Sequence, residues 1–224
     1  MNWEAIQENR IFKEMSREDL EHVFACSKTG KQTYHRGEMI FHQGENAVYL
    51  YVLLKGRVTI AKQYASGKRN TLYEVRENHI FGEYYIFGKE RIYKYNAKAM
   101  NEVELLKIPG SYFSGYCSKQ CRCHRNLIDN MLEVLSEKEW MAIKKVSIVS
   151  SVSLKERISI WLLDEAGEDD IVYLDMNREE LADYLGVARP SLSRALMKMQ
   201  SEGMIEVERN KIRVLDRKKI EKFL

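Results

Sequence analysis

Hydrophobic periodicity changes character along the chain. In residues 1–30 Phe12, Met15, Leu20, Val23 and Phe24 recur at helical spacing, and Ser16 before Arg17-Glu18-Asp19 is placed as an N-cap. From about 31 to 108, short apolar runs alternate with Gly37, Gly44, Gly56, Gly67, Gly82 and Gly88. Tyr49-Leu50-Tyr51-Val52-Leu53-Leu54 and Val58-Thr59-Ile60 predict strands, and Ser66-Gly67 predicts a hairpin turn leading to a strand around Leu72-Tyr73. Many short strands at this spacing predict a sandwich or small barrel, closed by Pro109-Gly110.

From 111 to 148 the period becomes helical. Ile128, Leu132, Leu135, Ala142 and Val146 follow a repeat near 3.5 residues, with Trp140 and Ile143 beside it. A small barrel cannot bury so long a stripe, so a coiled-coil partner is expected; the alternative is a helix packed on its own barrel. Residues 149–153, Val-Ser-Ser-Val-Ser, are poor helix formers and predict a hinge. A helix from 154 to about 166 and an acidic loop at Asp169-Asp170 follow.

The most informative segment comes next. Asn177-Arg178-Glu179-Glu180 is a capping box, in which each side chain satisfies a backbone N–H at a helix start. The short helix turns Leu181, Ala182 and Leu185 inward, and Gly186 supplies a tight turn. A second helix, from about 189 to 201, has Leu192, Ala195, Leu196 and Met199 as its inward stripe. Pro190 sits in its first turn, where a missing N–H costs nothing. Arg189, Ser193, Arg194 and Met197 lie outward. An arginine can donate a bidentate pair to guanine, and serine can bond bases or phosphates, so this face suits a major groove. Residues 204–208 and 211–214 alternate with period two around Arg209-Asn210, which predicts a β-hairpin wing with Arg209, Lys211 and Arg213 placed for phosphates. Two crossed helices with solvated arginines would be the bland alternative; the order and spacing of all these parts argue against it.

Charge sharpens this picture. Net charge is only +3. Yet residues 187–224 hold ten basic and five acidic residues, whereas 147–186 hold three basic and ten acidic ones. The basic surplus coincides with the predicted DNA-contacting elements. No apolar run is long enough to span a membrane, and Met1-Asn2-Trp3-Glu4 lacks the pattern of a secretory signal, so a cytoplasmic protein is expected. Four cysteines, Cys26, Cys117, Cys121 and Cys123, do not make a disulfide framework in such a chain.

These residues resemble the cyclic-AMP receptor protein/fumarate–nitrate regulator (CRP/FNR) family across nearly the whole chain. The resemblance rests on Arg178-Glu179-Glu180-Leu181-Ala182, Leu185-Gly186-Val187, Arg189-Pro190-Ser191-Leu192-Ser193-Arg194 and Glu202-Gly203-Met204-Ile205. It rests also on Arg36-Gly37-Glu38, Ile40-Phe41, Gln43-Gly44-Glu45, Gly56-Arg57-Val58 and Phe81-Gly82-Glu83. It implies an α+β bacterial transcription regulator: an N-terminal double-stranded β-roll like a cyclic-nucleotide-binding jelly roll (1–110), a long dimerisation helix (111–148) and a C-terminal winged helix-turn-helix (149–224). It implies a homodimer on a palindromic duplex operator, with RNA polymerase as a further partner and no membrane. Arg189, Ser193 and Arg194 would read bases and Ser191 would touch phosphate; Pro190, Arg178, Lys198, Arg209 and Lys211 complete the expected DNA-binding set. Many members carry Glu where this chain has Pro190, so the half-site should differ from the cyclic-AMP receptor consensus.

Cyclic-AMP binders of the family hold the cyclic phosphate with an Arg-Ser pair, and this chain has Tyr93-Lys94 there, with Arg91 nearby. Lys94 lacks the bidentate fork of arginine. Gly82 and Glu83, which would hold the ribose, are present. The expected effector is therefore a small molecule other than cyclic AMP, held by Gly82, Glu83, Tyr84, Arg91, Tyr93 and Lys94, with no resident cofactor and no metal. The alternative is a redox- or metal-responsive regulator of the same fold using Cys117, Cys121 and Cys123; cysteines as small, partly buried hydrophobes are the default. An enzyme on a cupin-like barrel would need metal ligands, but His35, His42 and His79 form no close His-x-His pair. No catalysis is expected. A scaffold module that no longer grips DNA is disfavoured by the retained Arg189, Ser193 and Arg194.

Overall fold

The computed structural model describes residues 3–115 and 121–224 and divides into two compact units, Met1–Leu135 and Ser136–Leu224.

The first unit opens with α1 (Trp3–Gln7), a single 3-10 turn (Arg10–Phe12) and α2 (Arg17–Ser27). Ser16 caps α2 as expected: its hydroxyl accepts from the Asp19 N–H while the Asp19 carboxylate accepts from the Ser16 N–H. Eight strands follow: β1 (Gly30–Tyr34), β2 (Met39–Phe41), β3 (Tyr49–Lys55), β4 (Val58–Gln63), β5 (Arg69–Val75), β6 (Ile80–Phe81), β7 (Asn96–Ala99) and β8 (Val103–Pro109). They form two four-stranded antiparallel sheets, ordered β1-β8-β3-β6 and β2-β7-β4-β5, which is the β-roll. Leu50, Val52, Leu53, Leu105, Leu106 and Ile108, on the two faces of the β1-β8-β3-β6 sheet, are fully buried. One part of the core is aromatic: Phe41 stacks on Tyr93 with ring centroids 3.7 Å apart, and Tyr51 stacks on Phe81 at 4.9 Å.

The expected long helix does not begin at Ser111. A four-residue helix, α4 (Ser111–Ser114), follows α3 (Glu83–Phe87) in the chain, and Gly115 ends it in extended conformation. The long helix, α5, runs from Arg122 to Ser150, 29 residues. Its first half has a buried face that the heptad pattern missed: Leu127, Met131 and Val134 join the β-roll core. Asn130 adds side-chain hydrogen bonds to the carbonyls of Ile11 (3.1 Å) and Lys13 (2.9 Å). The expected stripe is divided: Leu135 packs against the β-roll core and Ile128 is half-buried, while the rest is open. Leu132, Trp140, Ile143 and Val146 are each more than half exposed, and Ala142 is exposed.

The predicted hinge is narrower than 149–153, because α5 continues through Ser150. Ser153 then caps α6 (Leu154–Glu165) in a second capping box with Glu156. The second unit continues with β9 (Ile171–Tyr173), α7 (Arg178–Tyr184), α8 (Arg189–Ser201), β10 (Ile205–Val207), β11 (Lys211–Val214) and α9 (Arg217–Glu221). β9 follows the acidic Asp169-Asp170 loop, at a position where the sequence predicts no strand. It pairs antiparallel with β11, so the wing is a three-stranded sheet, β10-β11-β9. Ile158, Leu162, Leu181, Leu192, Met199, Ile205 and Ile212 are its fully buried core.

Gly56, in the β3–β4 turn, has φ +94°, and a Cβ there would stand 2.3 Å from the carbonyl oxygen of Glu102. Gly67, in the β4–β5 turn, has φ +80° with open space around it. Gly67→Ala is expected to cost about 1 kcal/mol and Gly56→Ala about 2–3 kcal/mol, read from urea denaturation, because only the second adds a backbone collision to the conformational strain.

Candidate nucleic-acid interface and effector cavity

The helix-turn-helix is built as its residues dictate. Asn177 Oδ1 accepts from the Glu179 and Glu180 N–H groups at 2.9 and 3.0 Å, and Glu180 Oε2 accepts from the Asn177 N–H at 2.9 Å. This starts α7 with its first-turn donors satisfied. Gly186, at φ +68°, turns the chain, and Leu181, Ala182 and Leu185 are buried beneath. On α8, Leu192, Leu196 and Met199 are buried, while Arg189, Pro190, Arg194, Met197 and Lys198 are exposed and Ser191 and Ser193 are half-buried. Arg194 folds back along its helix, donating to the Pro190 carbonyl at 3.3 Å and the Ser191 hydroxyl at 3.4 Å. Its guanidinium therefore sits toward the N-terminal end of α8.

The other predicted cations divide into two groups. Some have a weak local partner: Arg189 lies 3.8 Å from Glu179, Lys211 3.1 Å from Glu208, and Arg213 3.8 Å from Glu206. Arg209 at the hairpin tip is exposed with no ion pair among the described residues. Arg178 differs from all of these. It is half-buried, and its Nη1 is enclosed without a hydrogen-bond partner. Burial pushes its pKa below the ordinary arginine value. It lines a recess of about 230 Å³ with Ser193, Met197 and Gln200 of α8 and Val207 of the wing. Gln200 ties these elements together, its Oε1 accepting from the Val207 N–H at 2.7 Å.

In the β-roll, the structure gathers four of the six predicted effector residues. Gly82, Glu83, Tyr84 and Lys94 line a cavity of about 690 Å³ together with Tyr73, Tyr85, Gly88, Lys89, Glu90 and Tyr95. Gly82 begins α3 at φ +86°, and a Cβ there would lie 3.1 Å from both the Tyr49 carbonyl oxygen and the Tyr51 ring. The other two residues are elsewhere. Tyr93 is 2% exposed, stacked on Phe41, with its hydroxyl donating to the Tyr49 carbonyl at 3.4 Å, so it is a core residue. Arg91 lines a different recess, of about 360 Å³, with Asn46, Val48 and Ile86. Lys94 is ion-paired with Glu90, which raises its pKa and leaves the cavity's cations balanced by carboxylates. Tyr73, on β5, carried no local signal; only the β4–β5 pairing brings it to this rim.

Among the described residues no three His, Cys, Asp or Glu side chains could hold a metal ion, and Cys117 lies outside those residues. Cys123 donates through its thiol to Asp19 Oδ1 at 2.9 Å. Burial and that carboxylate push the Cys123 thiol up to about 11, while the same bond and those from Ser16 hold Asp19 below the usual carboxylate range. A thiol so protonated is a poor nucleophile and a poor metal ligand.

Comparison with known proteins agrees with this architecture. The cyclic nucleotide-binding domain family matches residues 31–120, and the Crp-like helix-turn-helix domain family matches residues 156–223. The Global nitrogen regulator of Synechocystis is 27% identical over 191 residues, covering 82% of this chain and 83% of that protein. Transcriptional regulator LdrP of Thermus thermophilus is 28% identical over 189 residues, covering 82% and 91%. The crystal structure of the Thermus thermophilus catabolite activator protein superposes with a TM-score of 0.53 at 21% identity, covering 96% and 98% of the two chains, and shows the same fold. A β-roll followed by a long helix and a winged helix-turn-helix defines a DNA-binding transcription regulator. The chain belongs to the CRP/FNR family of such regulators.

In alkylation with iodoacetamide at neutral pH, followed by peptide mapping, exposed Cys26 is expected to react at least about ten times faster than Cys123. Asp19→Asn should speed Cys123 alkylation, because removing the carboxylate lowers the thiol pKa.

Proposed function

We propose that this chain acts as a homodimer on a palindromic operator, with α8 of each protomer in the major groove. The observation that carries this reading is the outward face of α8: Arg189 and Arg194 are exposed toward its N-terminal end, and further along the helix Ser193, Met197 and Gln200 line a recess with Arg178, whose Nη1 is enclosed without a partner. Arg189, Arg194 and Ser193 read base edges. Ser191, Arg178, Lys198, Arg209 and Lys211 meet phosphates, and Pro190 preorganises the first turn. Glu179 and Glu206 hold their cations only through exposed pairs of low net worth, so a phosphate displaces them readily. The apolar stripe of Leu132, Trp140, Ile143 and Val146 on α5 is the dimer seam, since side chains of this size seldom stay open to water in a row. The dimer works in the cytoplasm, contacts RNA polymerase and catalyses no reaction. Among the described residues no helix is long and apolar enough to cross a membrane.

The tyrosine-lined cavity is the effector site. Its ligand is not cyclic AMP, because Lys94 is neutralised by Glu90, and neither Arg91 nor Tyr93 reaches the cavity to hold a cyclic phosphate. Tyr73, Tyr84, Tyr85 and Tyr95 suit a compact planar molecule, with Glu83 as an acceptor for its N–H or O–H groups.

Operators selected from a random duplex pool supply the test. Arg189→Ala and Arg194→Ala should each weaken the selected operator by about 1–3 kcal/mol and relax its sequence at particular positions. Arg178→Ala should weaken all sequences alike and reduce the salt slope by about one. Equal affinity for selected and scrambled duplexes would end the reading. In sedimentation, the Leu132→Glu, Ile143→Glu double variant should be monomeric with both units still folded. Cyclic AMP should produce no thermal shift in the unmodified protein.

A further inference from the structure

We propose that the outer face of the β2-β7-β4-β5 sheet carries a second ligand site, for a small phosphate monoester, separate from the tyrosine-lined cavity and independent of the DNA-binding reading. A cavity of about 430 Å³ lies there, lined by Arg36, Thr59, Arg69, Thr71, Glu74 and Lys98, among others. Strand geometry explains the gathering. Val58 and Ile60 face the core, so Thr59 between them faces outward. Thr59 pairs with Glu74 of β5 on one side and Lys98 of β7 on the other, which sets the three side chains abreast. A bulge in the β4–β5 pairing between Ile60 and Ala61 adds one residue to β5. It brings Thr71, opposite Ala61, to the same face as Glu74. The Arg36-Gly37 turn closes the edge; Gly37 has φ +92°, and a Cβ there would lie 3.9 Å from Lys98 Cε.

Two observations point to a ligand. Thr59 is 4% exposed and its hydroxyl has no hydrogen-bond partner. A buried, unsatisfied hydroxyl is costly in a folded protein and calls for a partner. Around it stand Arg36, Arg69 and Lys98, none in an ion pair among the described residues, against the single carboxylate of Glu74. Two guanidinium forks, one ammonium and a hydroxyl donor are the complement of a tetrahedral oxyanion. Glu74 adds selectivity. It repels bare phosphate at one edge and accepts from a hydroxyl carried on the ester part of the ligand.

Isothermal titration of the full chain at low ionic strength tests this with inorganic phosphate and with glycerol 3-phosphate. Both should bind saturably, glycerol 3-phosphate more tightly. Arg36→Gln with Arg69→Gln should weaken both by at least about tenfold. Thr59→Val should weaken both by about three- to fivefold, and Thr59→Ser should restore them. Glu74→Gln should strengthen inorganic phosphate and erase the preference for the ester. Tyr84→Ala, in the other cavity, should leave both unchanged, and the arginine double variant should bind duplex DNA as before. Absence of saturable binding, or affinities indifferent to the Arg36, Arg69 and Thr59 changes, overturns the proposal. So does loss of binding in Tyr84→Ala, which would place the anion in the effector cavity.

Discussion

Helix α5 carries large apolar side chains on two faces, and only one of them is covered within the chain. Leu127, Met131 and Val134 seal one face into the β-roll, with Asn130 bonded to the backbone of the N-terminal segment. This packing sets the rotation of the helix about its axis. With that face committed, Leu132 is necessarily turned away from the core. Further along, Trp140, Ile143 and Val146 are also open.

The cations of the proposed DNA-facing surface are held to different degrees. Arg189 and Arg213 sit in exposed ion pairs at 3.8 Å, worth roughly 0–1 kcal/mol each, while half-buried Lys211 is closer to its partner Glu208, at 3.1 Å. Such pairs keep the side chains ordered without holding them strongly. Arg178 is the opposite case, a cation partly withdrawn from water with one nitrogen left unsatisfied. An arrangement of this kind gains most when a phosphate arrives, because the desolvation has already occurred in the free protein.

Local chemistry made the helix-turn-helix legible residue by residue. The Asn177 capping box, the Gly186 turn and the inward Leu192, Leu196, Met199 stripe are short-range features, and the structure has them where the spacing put them. The strands at Tyr49–Lys55 and Val58–Gln63 were equally plain. What escaped depends on distant pairing. β9 is three residues long and exists because β11 offers it a ladder. Tyr73 reaches the tyrosine-lined cavity through the β4–β5 pairing, and Tyr93 is instead stacked on Phe41 in the core. Counting residues along the chain put Arg91 beside Lys94, but the fold sends it to another recess. The second face of α5 was hidden for a related reason: a heptad pattern reports the longest stripe, and Leu127, Met131 and Val134 make a shorter one beside it.

The bend after α5 has a further property. Arg157 donates to the Ser151 carbonyl through both Nε and Nη2 at 3.3 Å, and to the Leu185 carbonyl through Nη1 at 3.2 Å. One planar group therefore clasps the bend and the end of α7 together. Hydrogen bonds from a charged donor are worth about 1.5–3 kcal/mol each, so the joint behaves as a rigid bracket. A displacement of the last turn of α5 must therefore either carry the end of α7 with it or break these hydrogen bonds.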